Sequence, residues 1–219
     1  MTEWATISSM ATAGGTLVLA VATFNSTRSA NATARLAERS LLAAQRPVLI
    51  PSREDDPPEQ IRFIDDVVLR LPGHSGIAKL RDDNLYLAMA LRNGGAGLAV
   101  IHSWHVETDY EQRQHRPTDI GSFRRQTRDL YTPASSSGFW HGAIRDRDDP
   151  DYRALRALVE RGERVLIDIM YGDYDGGQRT IARFTVPSRK DEDGARIDVV
   201  RYWNLDGNDP RRSPASEPM

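Results

Sequence analysis

From Arg46 onward the apolar residues recur at every second position, in short runs broken by Pro, Gly and Asn. That period fits an extended strand with one buried face and does not fit a helix. Leu85, Leu87, Met89 and Leu91 alternate in this way, and so do Val165, Ile167, Ile169 and Tyr171. Ala182, Phe184 and Val186 repeat the pattern after the turn-forming Asp173 to Gly177. Further strands are expected at Pro47 to Ser52, Ile61–Ile64, Val67–Leu71, Leu98 to Val106, Leu130 to Thr132, Gly138 to His141 and Ile197 to Trp203. One helix interrupts them, over Asp149 to Gly162. Asp149 is placed to cap it, Pro150 to occupy its first position and Gly162 to end it. Tyr152, Leu155, Leu158 and Val159 form its apolar stripe. Seven to nine short strands with one late helix predict a mainly β fold, an immunoglobulin-like antiparallel β-sandwich over 46–207. A parallel α/β sheet would need a regular alternation of helix and strand that this chain lacks.

The N-terminal part is built differently. Residues 5–24 pass without a charge, and as a helix they would span roughly 30 Å, the thickness of a bilayer's hydrocarbon layer. Ile7, Leu17, Val18, Leu19, Val21 and Phe24 are its strongly apolar members, diluted by serines and threonines whose hydroxyls can bond back to helix carbonyls. Trp4 stands where an interfacial aromatic would stand. The stretch predicts a single transmembrane anchor. Competing readings are a buried soluble helix and a cleaved signal peptide. Ala20-Val21-Ala22 resembles a cleavage site, but Glu3 replaces the usual positive n-region. Arg28, Arg35, Arg39 and Arg46 all follow the span, and none precedes it, which directs the C-terminal domain to the cytoplasm. Asn25 to Gln45 reads as a continuing helical stalk. Its seam of Ala30, Ala34, Ala37, Leu41 and Ala44, with Ser8, Thr12, Thr16 and Ala20 on one face of the span, points to a possible homodimer through this helix; an alanine-rich stalk lying on its own domain is the equal alternative. The expected organisation is therefore 1–45 transmembrane helix and stalk, 46–207 β-sandwich, and 208–219 a disordered tail.

Composition closes off several chemistries. The chain has no cysteine, which excludes disulfides, thiolate metal sites, iron–sulfur clusters and cysteine nucleophiles. A formal net charge of -2 argues against a globally basic nucleic-acid binder. Only Lys79 and Lys190 are lysine among 29 basic residues, an arginine bias that reads as coding composition before it reads as ligand recognition.

No residue pattern carries catalysis. The run Gly94 to Gly97 is followed by a strand, not the helix a phosphate loop needs, so it reads as a turn with Gly95 or Gly97 at positive φ. His102 and His105 fall on opposite faces of a strand; His102 is expected beside Trp104 on the apolar face, with Val100 and Val106. The acidic clusters at Asp146–Asp151 and Asn204 to Asp209 serve capping, turns and solvation, and the second lacks the glutamate that closes a calcium loop. Ser135 to Ser137 with His141 lack the setting of a hydrolase nucleophile. The most basic stretch gathers Arg113, Arg116, Arg124, Arg125 and Arg128 with Tyr110 and Phe123; it could meet anionic lipid or nucleic acid, but Asp109, Glu111, Asp119 and Asp129 dilute it. No catalytic, cofactor-binding or metal-ligating residue is assigned, and no cofactor is expected.

The run Leu91-Arg92-Asn93-Gly94-Gly95-Ala96-Gly97-Leu98-Ala99 carries an N-x-G-x-G-x-A signature, and Tyr171-Gly172-Asp173 followed by Gly176-Gly177 marks a late hairpin. Together these resemble a group of uncharacterised bacterial single-pass membrane proteins with an N-terminal helix, a stalk ending in an Arg-Pro strand, and a β-sandwich. The resemblance implies that architecture and no activity. The function expected is a membrane-anchored, non-enzymatic β-sandwich that meets an unknown protein partner or senses a signal at the inner membrane face. An extracytoplasmic ligand-binding or envelope protein is the alternative, and an enzyme whose site is assembled from distant residues is a third.

Overall fold

A computed structural model describes residues 2–108, 117–188 and 194–207, with side chains from Leu19 onward. The chain divides into two units, Met1–Ala44 and Gln45–Met219. The first is one helix, α1 (Thr2–Ala44), about 65 Å long at the usual rise. From Leu19 to Ala44 every residue is exposed. Among the described residues no helix is long and apolar enough to cross a membrane. The span expected over 5–24 gains no support from this, and the side chains of 5–18 lie outside the described residues.

The second unit is mainly β and antiparallel. Its strands are β1 (Leu49–Pro51), β2 (Glu59–Arg62), β3 (Val68–Leu71), β4 (Ser75–Arg81), β5 (Asn84–Asn93), β6 (Ala99–Glu107), β7 (Arg124–Thr132), β8 (Ser137–Ile144), β9 (Arg164–Gly172), β10 (Thr180–Pro187), β11 (Ala195–Arg196) and β12 (Asp198–Asn204). Strand β5 centres one sheet: β8 runs along one side of it, β4 and β1 share the other, and β11 flanks β4. The second sheet runs β12-β10-β9-β6-β7. The two sheets share one core, with Leu85, Leu87, Met89 and Trp140 from the first and Ile167, Ile169, Tyr171 and Phe184 from the second, all at most 1% exposed. These are the residues whose alternation marks the strands, because burying one face is what makes the period-two pattern necessary. At one end β1 is tied to the second sheet through Leu49, whose N–H donates to the Tyr171 hydroxyl (3.3 Å) and whose carbonyl accepts from the Tyr202 hydroxyl (2.7 Å). Burial pushes the Tyr171 phenol up to about 12.

A second, smaller core lies on the outer face of the first sheet. The β2–β3 hairpin lays Ile61, Phe63, Leu69 and Leu71 over Ile77, Tyr86, Ala88 and Ala90. This explains why β5 is buried on both faces. The late helix, α2 (Tyr152–Arg161), buries Tyr152 and Leu155, and packs Leu158 and Val159 against the main core. Gly162 ends it at φ 71°. Its start differs from expectation: the cap position is Asp151, two residues after the expected Asp149, and Pro150 lies before the helix, while Asp149 accepts from the Asp151 N–H at 2.9 Å.

Three further expectations need correction. Residues 75–81, where no strand is expected, form β4; Ala78 and Lys79 blur its alternation. Strand β7 begins at Arg124, six residues before the expected start at Leu130, with charged residues on a strand that has only one paired neighbour. Strand β6 carries an irregularity between Ile101 and Ser103 against both neighbours. The irregularity shifts the phase of the strand, so Ala99 and Ile101 face the core before it and Trp104 and Val106 after it. His102 sits at the shift and does not share the core face with Trp104. The expected disordered tail, 208–219, lies outside the described residues.

Candidate functional site

The glycine run is organised by Asn93. Its side chain is fully buried. Its Oδ1 accepts from the N–H groups of Val48 (3.1 Å) and Gly95 (2.9 Å), and its Nδ2 donates to the carbonyls of Gly97 (2.6 Å) and Thr132 (3.0 Å). One amide thus joins the segment entering β1, the turn and the end of β7. Neither Gly95 nor Gly97 lies at positive φ, contrary to the expectation; the positive-φ glycines among the described residues are Gly162, Gly176 and Gly194. The need for glycine is close approach. A Cβ on Gly95 would meet the Arg46 carbonyl oxygen at 2.1 Å, and one on Gly97 would meet that of Gln45 at 1.8 Å. The N-x-G-x-G run is filled by the chain's own backbone.

A cavity of about 790 Å³ opens at the edge of the sandwich where β7 and β8 end their sheets. Its position follows from a mismatch in β7. Ile101 and Ser103 of β6 pair with Leu130 and Arg125, so two steps on β6 match five on β7 and three surplus residues bow outward. The bowed segment leaves its own sheet and reaches β8. There Gln126 Nε2 donates to the His141 carbonyl (3.0 Å), and Gln126 Oε1 accepts from Trp140 Nε1 (3.1 Å). Phe63, Ile64 and Asp66 at the tip of the β2–β3 hairpin close the far side.

Five arginines line this cavity, Arg62, Arg124, Arg125, Arg128 and Arg145, against one carboxylate, Asp66. Three of them are neutralised. Arg124 is clamped by Asp149, at 2.7 Å from Nη2 to Oδ1, and by Asp151 at the start of α2. Its guanidinium lies 5.5 Å from the Trp104 ring centre, and its hydrogen bonds hold the Asp149 carboxyl below the usual carboxylate range. Arg145 Nε donates to Asp65 at 3.0 Å, which with the Tyr86 hydroxyl brings Asp65 down to about 2. Arg62 pairs with Asp66 at 3.4 Å. Arg125 and Arg128 are exposed, and their guanidinium groups have no partner among the described residues. His141 lies between the phenyl rings of Phe63 (5.0 Å) and Phe139 (5.9 Å), with Nε2 buried and unpartnered. Burial, and then the charges of Arg128 and Arg145, lower its pKa.

The deepest charges lie elsewhere. On the outer face of the second sheet, Arg183 grips Asp168 through two hydrogen bonds of 2.6 and 2.7 Å, and both side chains are fully buried. Thr118 donates to Asp168 at 2.6 Å, and Trp203 covers the guanidinium at 4.9 Å. This group pins the end of the excursion between β6 and β7. Neither Asp168 nor Arg183 stood out in the sequence, since a charge at an outward strand position normally faces water.

The remaining candidates take structural places. His105 Nδ1 contacts the Ser122 carbonyl at 3.2 Å, while His102 Nε2 is buried without a partner. Among the described residues no group of three His, Cys, Asp or Glu side chains could hold a metal. Asp149 and Asp151 hold Arg124, Asp206 holds Arg179, and Asp146 accepts from the Asp148 N–H at 2.9 Å. Ser135 sits at φ 59° in the turn from β7 to β8. Of the basic stretch, Arg124, Arg125 and Arg128 meet in the cavity; Arg113, Arg116 and Tyr110 lie outside the described residues. The signal that could have found the site was the uninterrupted polarity of 124–129 next to Trp104 and His141, but the bulge that gathers them leaves no local mark. No protein-family model, curated protein or solved structure matches this chain.

Proposed function

We propose that this protein is a membrane-tethered, non-enzymatic recognition module, an immunoglobulin-like sandwich that meets its partner or signal at the inner membrane face through the arginine-lined edge cavity. The observation carrying the reading is that cavity, with two unneutralised guanidiniums at a sheet edge. The pairings β5 with β8, β6 with β9, β9 with β10 and β6 with β7 support the immunoglobulin-like assignment, since the B–E, C–F, F–G and C–C′ neighbours of that fold follow the same order. Trp104 on β6, packed edge-on against Trp140 at 5.4 Å, occupies the strand that carries the core tryptophan of such domains. The tether rests on the uncharged residues 5–24 and the arginines that follow them, together with the exposed Leu19, Val21 and Phe24.

The test is crosslinked capture of the tagged full-length chain from native membranes, for wild type and for Arg125→Glu with Arg128→Glu. A reproducible partner lost on charge reversal, with an unchanged melting temperature, is the expected result. A partner retained by the reversed variant would place recognition elsewhere.

A further inference from the structure

We infer that the edge cavity takes a small organic anion with a flat apolar body, its carboxylate or phosphate held by Arg125 and Arg128 and its body directed at Ile64 and the aromatic wall. This rests on the reading of the cavity as the recognition site and names the chemistry that it selects.

The volume, about 790 Å³, is that of a small-molecule site, larger than a bare inorganic anion needs. Charge sets the sign. The lining holds five guanidiniums and one carboxylate, and Arg124, Arg145 and the exposed Arg62 already have Asp149, Asp151, Asp65 and Asp66 as partners. Arg125 and Arg128 do not, and they reach the same cavity only because of the bulge. On a regular strand residues three apart point to opposite faces. The three surplus residues of β7 cancel that alternation and bring both to one opening. A carboxylate or phosphate between them would form charge-assisted, bidentate hydrogen bonds.

The apolar half of the ligand follows from the rest of the lining. Ile64 is 91% exposed at the hairpin tip, a large apolar side chain left uncovered by the described residues of the second unit. Behind it stand Phe63, His141 and Trp104, and the polar edge of β8 at His141 is already closed by Gln126. That closure leaves less of the strand edge for an added peptide strand, and so favours a compact ligand over an extended one.

The experiment uses the full chain in a non-ionic detergent, with tryptophan fluorescence as readout and 1-naphthoate as probe. Acetate supplies the anion without the body, and 1-naphthylmethylammonium supplies the body with the opposite charge. Wild type should bind naphthoate saturably, acetate far more weakly and the ammonium compound not at all. Arg125→Gln with Arg128→Gln should weaken naphthoate at least about tenfold, and Ile64→Ser should weaken naphthoate but not acetate. Arg153→Gln, an exposed arginine on α2, should change nothing. Both cavity arginines are exposed, so the double variant should keep the parent's melting temperature. Non-saturable binding, equal binding by the double variant, or equal binding of the ammonium compound would overturn the inference. If naphthoate fails while membrane capture still depends on these arginines, the ligand class falls and the recognition reading stands. If both fail, both fall.

Discussion

Asn93 shows how one buried amide can organise three backbone segments. All four of its hydrogen bonds go to main chain from before β1, the turn itself and β7, so no part of the turn can shift alone. The glycines beside it are required by distance. At Gly97 a side chain would overlap a backbone carbonyl, which has no rotamer to yield. Gly97→Val should lower the stability of the domain by several kcal/mol, of the order of other severe overpacking changes; Gly94→Ala, where the nearest neighbour is the flexible end of Ile50 at 3.1 Å, should be far milder. Thermal melts of the two variants check the contrast, and equal melting temperatures would contradict it. His141 adds a pH effect. Its folded pKa lies below the ordinary value of 6.5 because burial penalises the imidazolium. Its contribution is therefore complete above about pH 6.5 and is lost as pH falls toward the folded pKa, where the unfolded chain binds the proton first. Urea midpoints should drop on acidification from about pH 7.5 to about pH 5, and drop less in His141→Gln. Some slope should remain, since His102 is shifted the same way by its own burial.

At the scale of elements, the strands with a period-two run of large apolar residues were legible even where both faces are buried, as in β5 and β9; what covers their outer faces was not. The hairpin β2–β3 covers one outer face, and Asp168 and Arg183 sit buried on the other. A buried pair is costly to break because the survivor is left charged and unsolvated. Asp168→Ala should cost about 3–5 kcal/mol, whereas Asp168→Leu combined with Arg183→Met should recover most of it, because the desolvation of both charges disappears together. Chemical denaturation of the two variants measures the difference. A double variant no better than the single one would show that the excursion pinned by Thr118 depends on the ions themselves. Strand β7 illustrates the other kind of departure. Its first half is too polar to read as a strand, and it is held by pairs to Trp104 and Ser103 that lie twenty residues away in sequence.

At the scale of the whole molecule, the proposed tether concerns α1. Helix α1 has 43 residues, and Leu19, Val21, Phe24 and Leu36 are each more than half exposed; the proposed tether would cover the first three. On that proposal the arginines at 28, 35 and 39 set its direction. The chain should remain in membranes after a carbonate wash. Alkaline phosphatase fused after Met219 should be silent and a fluorescent protein bright; Glu at 28, 35 and 39 with Lys added before Trp4 should favour the inverted orientation. Recovery in the soluble fraction would refute the tether, and a mature N-terminus near residue 23 would favour cleavage.

The sequence by itself determined where most of the inner strands run, where helix α2 ends, and that the glycine run after Asn93 leads into a strand and not a helix. Each of these is local: a period of two, a glycine after a last helical turn, a strand following the glycine run. Only the tertiary structure decided that Gly95 and Gly97 are there for a passing backbone, that Asp168 and Arg183 are buried, and that Arg125 and Arg128 share one cavity. Those facts depend on which strands become neighbours and on how many residues each contributes between shared pairs. Such neighbours are set by the packing of the two sheets, and no window of adjacent residues records them.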